Sequence, residues 1–221
     1  MTSGLALRRW DGPGARTAVL LHSLGEDSSS WEPTAEALAH HQAVVAFDLP
    51  GHGATGRRPA YSFELIRDEV AAAIDEQQLG PVSIVGHSLG GMIGYLLAAR
   101  RPSWLDRLVL EEAPPPLPLA PARPIPDRPD GELSFDWAAL TALYGQRNDP
   151  DPAWWDTLAA IEVPTLVIAG GPDSHVDQAD LARMADQIPA SRLLTLGGGH
   201  NVHTTRPDQF VATVTQFLAE T

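Results

Sequence analysis

The chain has 221 residues, enough for one sizeable hydrophobic core, and carries a formal net charge of −13. That balance opposes binding to nucleic acid and to anionic membrane surfaces. It has no cysteine, and its 15 basic residues are all arginine, which excludes disulfides, thiolate catalysis, cysteine-held metals, Schiff bases and a lysine general base. No apolar run reaches the length of a membrane span, and Met1 to Leu5 lacks the basic-then-apolar order of a secretory signal. These features point to a soluble cytoplasmic protein and leave open whether it is a monomer or a homo-oligomer.

The first predicted strand is the continuous apolar run Thr17-Ala18-Val19-Leu20-Leu21. A helical pattern covers about 30–40, and a second strand runs from Ala43 to Phe47. A long helix is expected over 62–78, then a strand at Val82 to Val85 and a helix over 89–100. Arg107 to Leu110 reads as the fourth strand. The stretch 112–130 holds eight prolines, which rules out helix and central strand there. Short helical patterns follow at 135–144 and from Pro152. The last strands are Thr165 to Ala169 and Arg192 to Leu196, each followed by a helix, over 178–187 and 207–219. Alternating strands and helices imply an α/β fold, a mostly parallel sheet covered by helices on both faces. The chain reads as a single domain, 1–221, with a short proline-rich cap at about 113–163. Ligands of such sheets bind beyond the carboxyl ends of the strands.

One motif stands at such an end. Gly86-His87-Ser88-Leu89-Gly90 joins the third predicted strand to the helix after it. A serine on a sharp strand-to-helix turn exposes its Oγ, and glycines two before and two after it let the two elements approach. Gly197-Gly198-Gly199-His200 follows the last strand, where glycines allow a turn that presents an imidazole over the sheet edge. Serine is a weak nucleophile until a base takes its proton, and His200 is the expected base. His203 is expected to support the loop.

Together with Leu20-Leu21-His22-Ser23-Leu24-Gly25, Asp48-Leu49-Pro50-Gly51-His52-Gly53 and Gly170-Gly171-Pro172-Asp173, these motifs resemble the α/β-hydrolase fold of serine esterases, lipases and perhydrolases. The resemblance covers nearly the whole chain. It implies a catalytic triad of Ser88, His200 and an acid, preferably Asp173, with Glu112 after the preceding strand as the alternative. It also implies an oxyanion hole from the backbone N–H groups of Leu24 and Leu89. His-Ser replaces the family's usual His-Gly at 22–23. His22, Asp48 and His52 read as structural supports. His87 reads as wall packing, and His175 as facing solvent, with contact to substrate the alternative.

The expected substrate-binding residues are Ser23, Trp31, Met92, Trp137 and Tyr144, while the Trp154-Trp155 pair is expected to hold the cap down. No cofactor is expected. No metal is expected either, because the eight histidines show no helical pair with ligand spacing. The resemblance implies hydrolysis of a carboxylic ester through an acyl-enzyme. The alternatives are a C–C hydrolase, lactonase, thioesterase, perhydrolase or acyltransferase using the same triad, and a small-molecule-binding protein on this scaffold.

Overall fold

The computed structural model describes residues 4–220. Strands and helices alternate along it: β1 (Leu7–Trp10), β2 (Thr17–Leu21), α1 (Glu32–Ala39), β3 (Ala43–Phe47), α2 (Phe63–Gln77), β4 (Val82–His87), α3 (Leu89–Ala98) and β5 (Leu105–Glu111). The cap carries α4 (Trp137–Asn148) and α5 (Ala153–Thr157). The chain then returns through β6 (Thr165–Ala169), α6 (Gln178–Gln187), β7 (Ser191–Thr195), α7 (Val202–Thr205) and α8 (Pro207–Ala219).

The seven strands form one sheet in the order β1-β3-β2-β4-β5-β6-β7. All neighbours pair in parallel except β1, which runs antiparallel to β3 at the edge. The central strands are apolar at nearly every position because both faces are covered. Val19, Leu21, Val45, Phe47 and Ile84 pack with α2 and α3 on one face. Their alternates Ala18, Leu20, Val44, Ala46 and Val85 pack with α1 and α8 on the other. This matches the predicted α/β architecture, with two additions. β1 is short and half exposed, so it left little apolar signal, and α7 is a single turn inside the histidine loop. No helix among the described residues is long and apolar enough to cross a membrane.

Local chemistry fixes the ends of the elements that carry the site. Ser62 caps α2 by accepting from the Leu65 N–H, and Asp177 caps α6 through the Ala179 N–H. The cap is tied to α2 by Glu64, which accepts from Gln146 Nε2 at 2.8 Å and from Trp154 Nε1 at 3.1 Å. Trp154 packs edge-on against Phe63, and the Arg183 guanidinium lies 4.0 Å over the Trp155 ring. Both tryptophans are buried, as expected of residues that anchor the cap.

Candidate active site

A single residue, Ser88, connects β4 to α3. Its backbone sits at φ 49°, ψ −109°, a strained conformation for a residue with a side chain, costing on the order of 1–3 kcal/mol. The Ser88 N–H donates to the Glu111 carbonyl and the Ser88 carbonyl accepts from Met92, each at 2.9 Å. A Cβ on Gly86 would stand 2.4 Å from the Gly90 carbonyl oxygen, and one on Gly90 would stand 2.0 Å from that of Leu21. Both glycines are therefore sterically required for the turn that presents Ser88. Because Leu89 opens α3, its N–H is among the donors a helix leaves unused in its first turn. The Gly90 N–H donates to the His22 carbonyl at 3.1 Å, tying this helix start to the loop that carries Leu24.

His22 holds that loop and is not placed to move protons. Its Nδ1 donates to the Ser23 carbonyl at 2.7 Å, and its Nε2 accepts from the Leu49 N–H at 2.9 Å. Burial, helped by the neighbouring His52, lowers its pKa from 6.5 to about 4. Between those values the unfolded chain binds a proton that the folded chain refuses. The stabilisation is complete above pH 6.5 and is lost on acidification, by about 1.4 kcal/mol per pH unit or roughly 3 kcal/mol in all. Urea unfolding at about pH 7 and about pH 4.5 should show this loss, and His22→Gln should shrink it. An equal acid sensitivity in the variant would contradict the assignment. Asp48 is likewise structural, its two carboxylate oxygens accepting from the Ser28 and Ala54 N–H groups.

His200 follows three successive glycines at φ 73°, 94° and 78°, a left-handed run that residues with side chains adopt only at a cost. The Gly199 N–H donates to the Gly170 carbonyl at 3.0 Å, docking this loop onto the end of β6. The carboxylate facing His200 Nδ1 is that of Glu112, with Oε2 at 3.4 Å. Asp173 is exposed in a short 3-10 turn, and no hydrogen bond or ion pair joins it to His200 among the described residues. Of the two candidate acids, the one preferred from the sequence, Asp173, stands apart from His200, and the alternative, Glu112, faces it.

The reason lies in the backbone. Glu112 has φ 53°, so the chain turns at that residue, before Pro114 to Pro116 leave for the cap. The loop expected to supply the acid supplies donors instead. The Gly170 N–H, the Ser174 hydroxyl and Gln178 Nε2 all donate to the Glu112 carboxylate. Burial alone would push this carboxyl up, but the bonds from His200, Ser174, Gly170 and Gln178 outweigh it and hold it below its ordinary range.

Ser88, Glu112 and His200 line one cavity of about 290 Å³ at the carboxyl ends of the strands, beneath the cap. The alpha/beta hydrolase family model matches residues 18–213. The chain belongs to the alpha/beta hydrolase family. Over 98% of this chain and 94% of the other, it superimposes on a hydrolase from Pseudomonas aeruginosa PA01 with a TM-score of 0.84 and 26% identity. The enol-lactonase from Burkholderia xenovorans LB400 gives a TM-score of 0.81 at 25% identity, covering 98% and 96%. Among curated relatives, "Putative carbamate hydrolase RutD" of Agrobacterium fabrum is 29% identical over 92% of this chain and 93% of its own.

In this alpha/beta hydrolase the cavity wall differs from the sequence expectation. Met92 and Tyr144 line it, whereas Ser23, Trp31 and Trp137 do not. Trp31 is fully buried, its ring stacked on His203 at 4.3 Å and packed near Phe210 under the other face of the sheet. Ser23 is buried, with its carbonyl engaged by His22. Trp137 starts α4 beside Phe135, away from the cavity. His175 is exposed, in line with the expectation, and its ring also lines the cavity, 4.3 Å from that of His200. Its loop position gave no sequence signal for that contact.

Beneath the cavity lies a second histidine array. Glu111 accepts from the His203 N–H and faces His203 Nδ1 at 2.9 Å. His87 Nε2 donates to the His200 carbonyl at 2.9 Å, so the residue before the nucleophile holds the residue expected as base. His87, Glu111 and His203 form the one group among the described residues whose ligand atoms lie close enough for a metal, within 4.8 Å of one another. The Glu111 carboxylate is engaged by His203, while His87 Nδ1 and His203 Nε2 are buried without a hydrogen-bond partner among the described residues. Burial lowers the His87 pKa, and a neutral ring with its proton on Nε2 suits its bond to a carbonyl.

Proposed function

We propose that this alpha/beta hydrolase is a serine hydrolase that cleaves carboxylic esters or related acyl bonds of small substrates through an acyl-enzyme on Ser88. The observation that carries the reading is the opening of the strained Ser88 elbow and the His200–Glu112 pair onto one cavity. His200 takes the Ser88 proton as Oγ attacks the acyl carbonyl, and returns it to the leaving oxygen. The N–H groups of Leu24 and Leu89 receive the oxyanion, an interaction typically worth about 3 kcal/mol per donor. Water then attacks the acyl-enzyme by the same route. Glu112, held ionised by its four donors, fixes the Nδ1–H tautomer of His200 and stabilises the imidazolium that forms. Relatives named for carbamate, ester and enol-lactone substrates share with this reading a carbonyl bonded to a leaving heteroatom.

Hydrolysis of p-nitrophenyl butyrate tests the reading and its acid together. The wild-type protein should release p-nitrophenol well above background. Glu112→Gln should slow it by about 10²–10⁴-fold, because an amide favours the wrong imidazole tautomer. Asp173→Asn should stay within about threefold of wild type, as expected for an exposed side chain that touches no reacting group. A wild-type protein without esterase activity contradicts the function, and a crippled Asp173→Asn beside an active Glu112→Gln contradicts the acid.

A further inference from the structure

The cavity above Ser88 carries two arginines that catalysis does not use. Arg147 lies in the last turn of α4, and Arg123 lies in the proline-rich strap of the cap. Asn148 brings them to one wall. Its Oδ1 accepts from the Arg123 N–H at 3.0 Å, and its Nδ2 donates to the Arg123 carbonyl at 2.9 Å. The Asn148 carbonyl also accepts from Leu119 N–H at 3.2 Å, so the strap is fastened to the end of α4 at two points. Both arginines line the same cavity as Ser88 and His200.

Neither guanidinium has an ion-pair or hydrogen-bond partner among the described residues. This is unusual for Arg147, which is half-buried. The groups that act on its charge are Arg123, Tyr144 and Tyr95, none of them a carboxylate. The Tyr95 hydroxyl is itself buried without a partner. Nearby Glu64 is committed to Gln146 and Trp154. Asp177 and Asp180 also line the cavity, but neither comes within ion-pair distance of Arg147 or Arg123. Arg147, partly desolvated, faces the exposed Arg123 across this wall with no carboxylate among the described residues paired to either, an arrangement that an entering anion would relieve. Both arginines line the cavity together with His175, whose ring lies 4.3 Å from that of His200.

We propose that Arg147 and Arg123 form a carboxylate-binding subsite, and that the substrate is an ester bearing a free carboxylate at the end remote from the scissile bond. A guanidinium presents paired N–H donors that match a carboxylate in two parallel bonds. A singly charged group suits this wall better than a dianion, because Glu112, Asp177 and Asp180 stand on the same cavity. The carboxylate would orient the substrate and leave Ser88 to act on the ester at the other end.

The test compares two p-nitrophenyl esters of adipic acid, the half-ester with a free carboxylate and its methyl-capped counterpart. For the wild-type protein, kcat/KM should favour the half-ester by about tenfold or more, the range expected for charge-assisted hydrogen bonds. That ratio should fall by about tenfold in Arg147→Gln and be partly restored in Arg147→Lys, which keeps the charge without the fork. A wild-type ratio near one, or a ratio unchanged in Arg147→Gln, overturns the subsite. Since the inference rests on the acyl-transfer reading of Ser88, binding is read separately, by calorimetric titration of monomethyl adipate into Ser88→Ala protein. Binding there that disappears when Arg147→Gln is added supports the subsite even if neither ester is turned over, an outcome that removes the reaction and keeps the site. Ester turnover with no such binding removes the site and keeps the reaction. Inorganic phosphate binding more tightly than monomethyl adipate overturns the carboxylate assignment.

Discussion

Ser88→Ala should lower kcat/KM for p-nitrophenyl butyrate by about 10⁴-fold or more while leaving the protein folded. The size follows from the chemistry, since without Oγ there is no acyl-enzyme and only the oxyanion donors and binding remain. Stability should hold or rise slightly. The strain at φ 49° belongs to the backbone, and Ala meets it with a Cβ no larger than that of Ser. Ser88 also makes its 2.9 Å bonds to Glu111 and Met92 through the backbone, which the substitution keeps. Retention of more than about a hundredth of wild-type turnover would show that the nucleophile lies elsewhere.

The second large effect separates two histidines three residues apart. His200→Ala should cost about as much activity as Ser88→Ala, because nucleophile and base act as a unit. His203→Ala should chiefly cost stability. Its ring is buried, stacks on Trp31 at 4.3 Å and meets Glu111 at 2.9 Å. Removing it takes the ring's bond from a buried carboxylate that keeps only the His203 backbone N–H, and empties the space against Trp31, which together cost about 2–4 kcal/mol. His203→Asn, which can still donate to Glu111, should recover much of that loss. Thermal unfolding and kcat measured on the folded fraction give the two readouts. A stable His203→Ala protein lacking activity, beside an active His200→Ala, would reverse the roles of the two rings.

The parts of this molecule that were legible in its sequence are those encoded by local pattern. β2, β3 and β6 coincide with their apolar runs, and α6 and α8 with their amphipathic stretches. The elbow was legible because its glycines are demanded by contacts within the turn and with the neighbouring strand. The acid was not. Two adjacent glutamates end β5, and which one faces His200 depends on a left-handed residue at 112 and on donors from 170–178. That information is long-range. Trp31 misled for a related reason. A tryptophan just after a catalytic loop reads as wall, but the 3-10 turn Ser28–Trp31 rotates it inward against His203 and Phe210. The pairing of Arg123 with Arg147 was equally hidden, because Asn148 makes it across 25 residues of irregular chain and helix.

The central claim is that Ser88 carries the acyl group, and covalent capture followed by peptide mass mapping tests it most directly. A fluorophosphonate should add once per chain, abolish esterase activity in proportion to labelling, and map to the peptide containing Ser88. Labelling should vanish in Ser88→Ala and slow strongly in His200→Ala, since the unactivated hydroxyl is a poor nucleophile. An adduct on another residue, or full inactivation with Ser88 unmodified, would contradict the account.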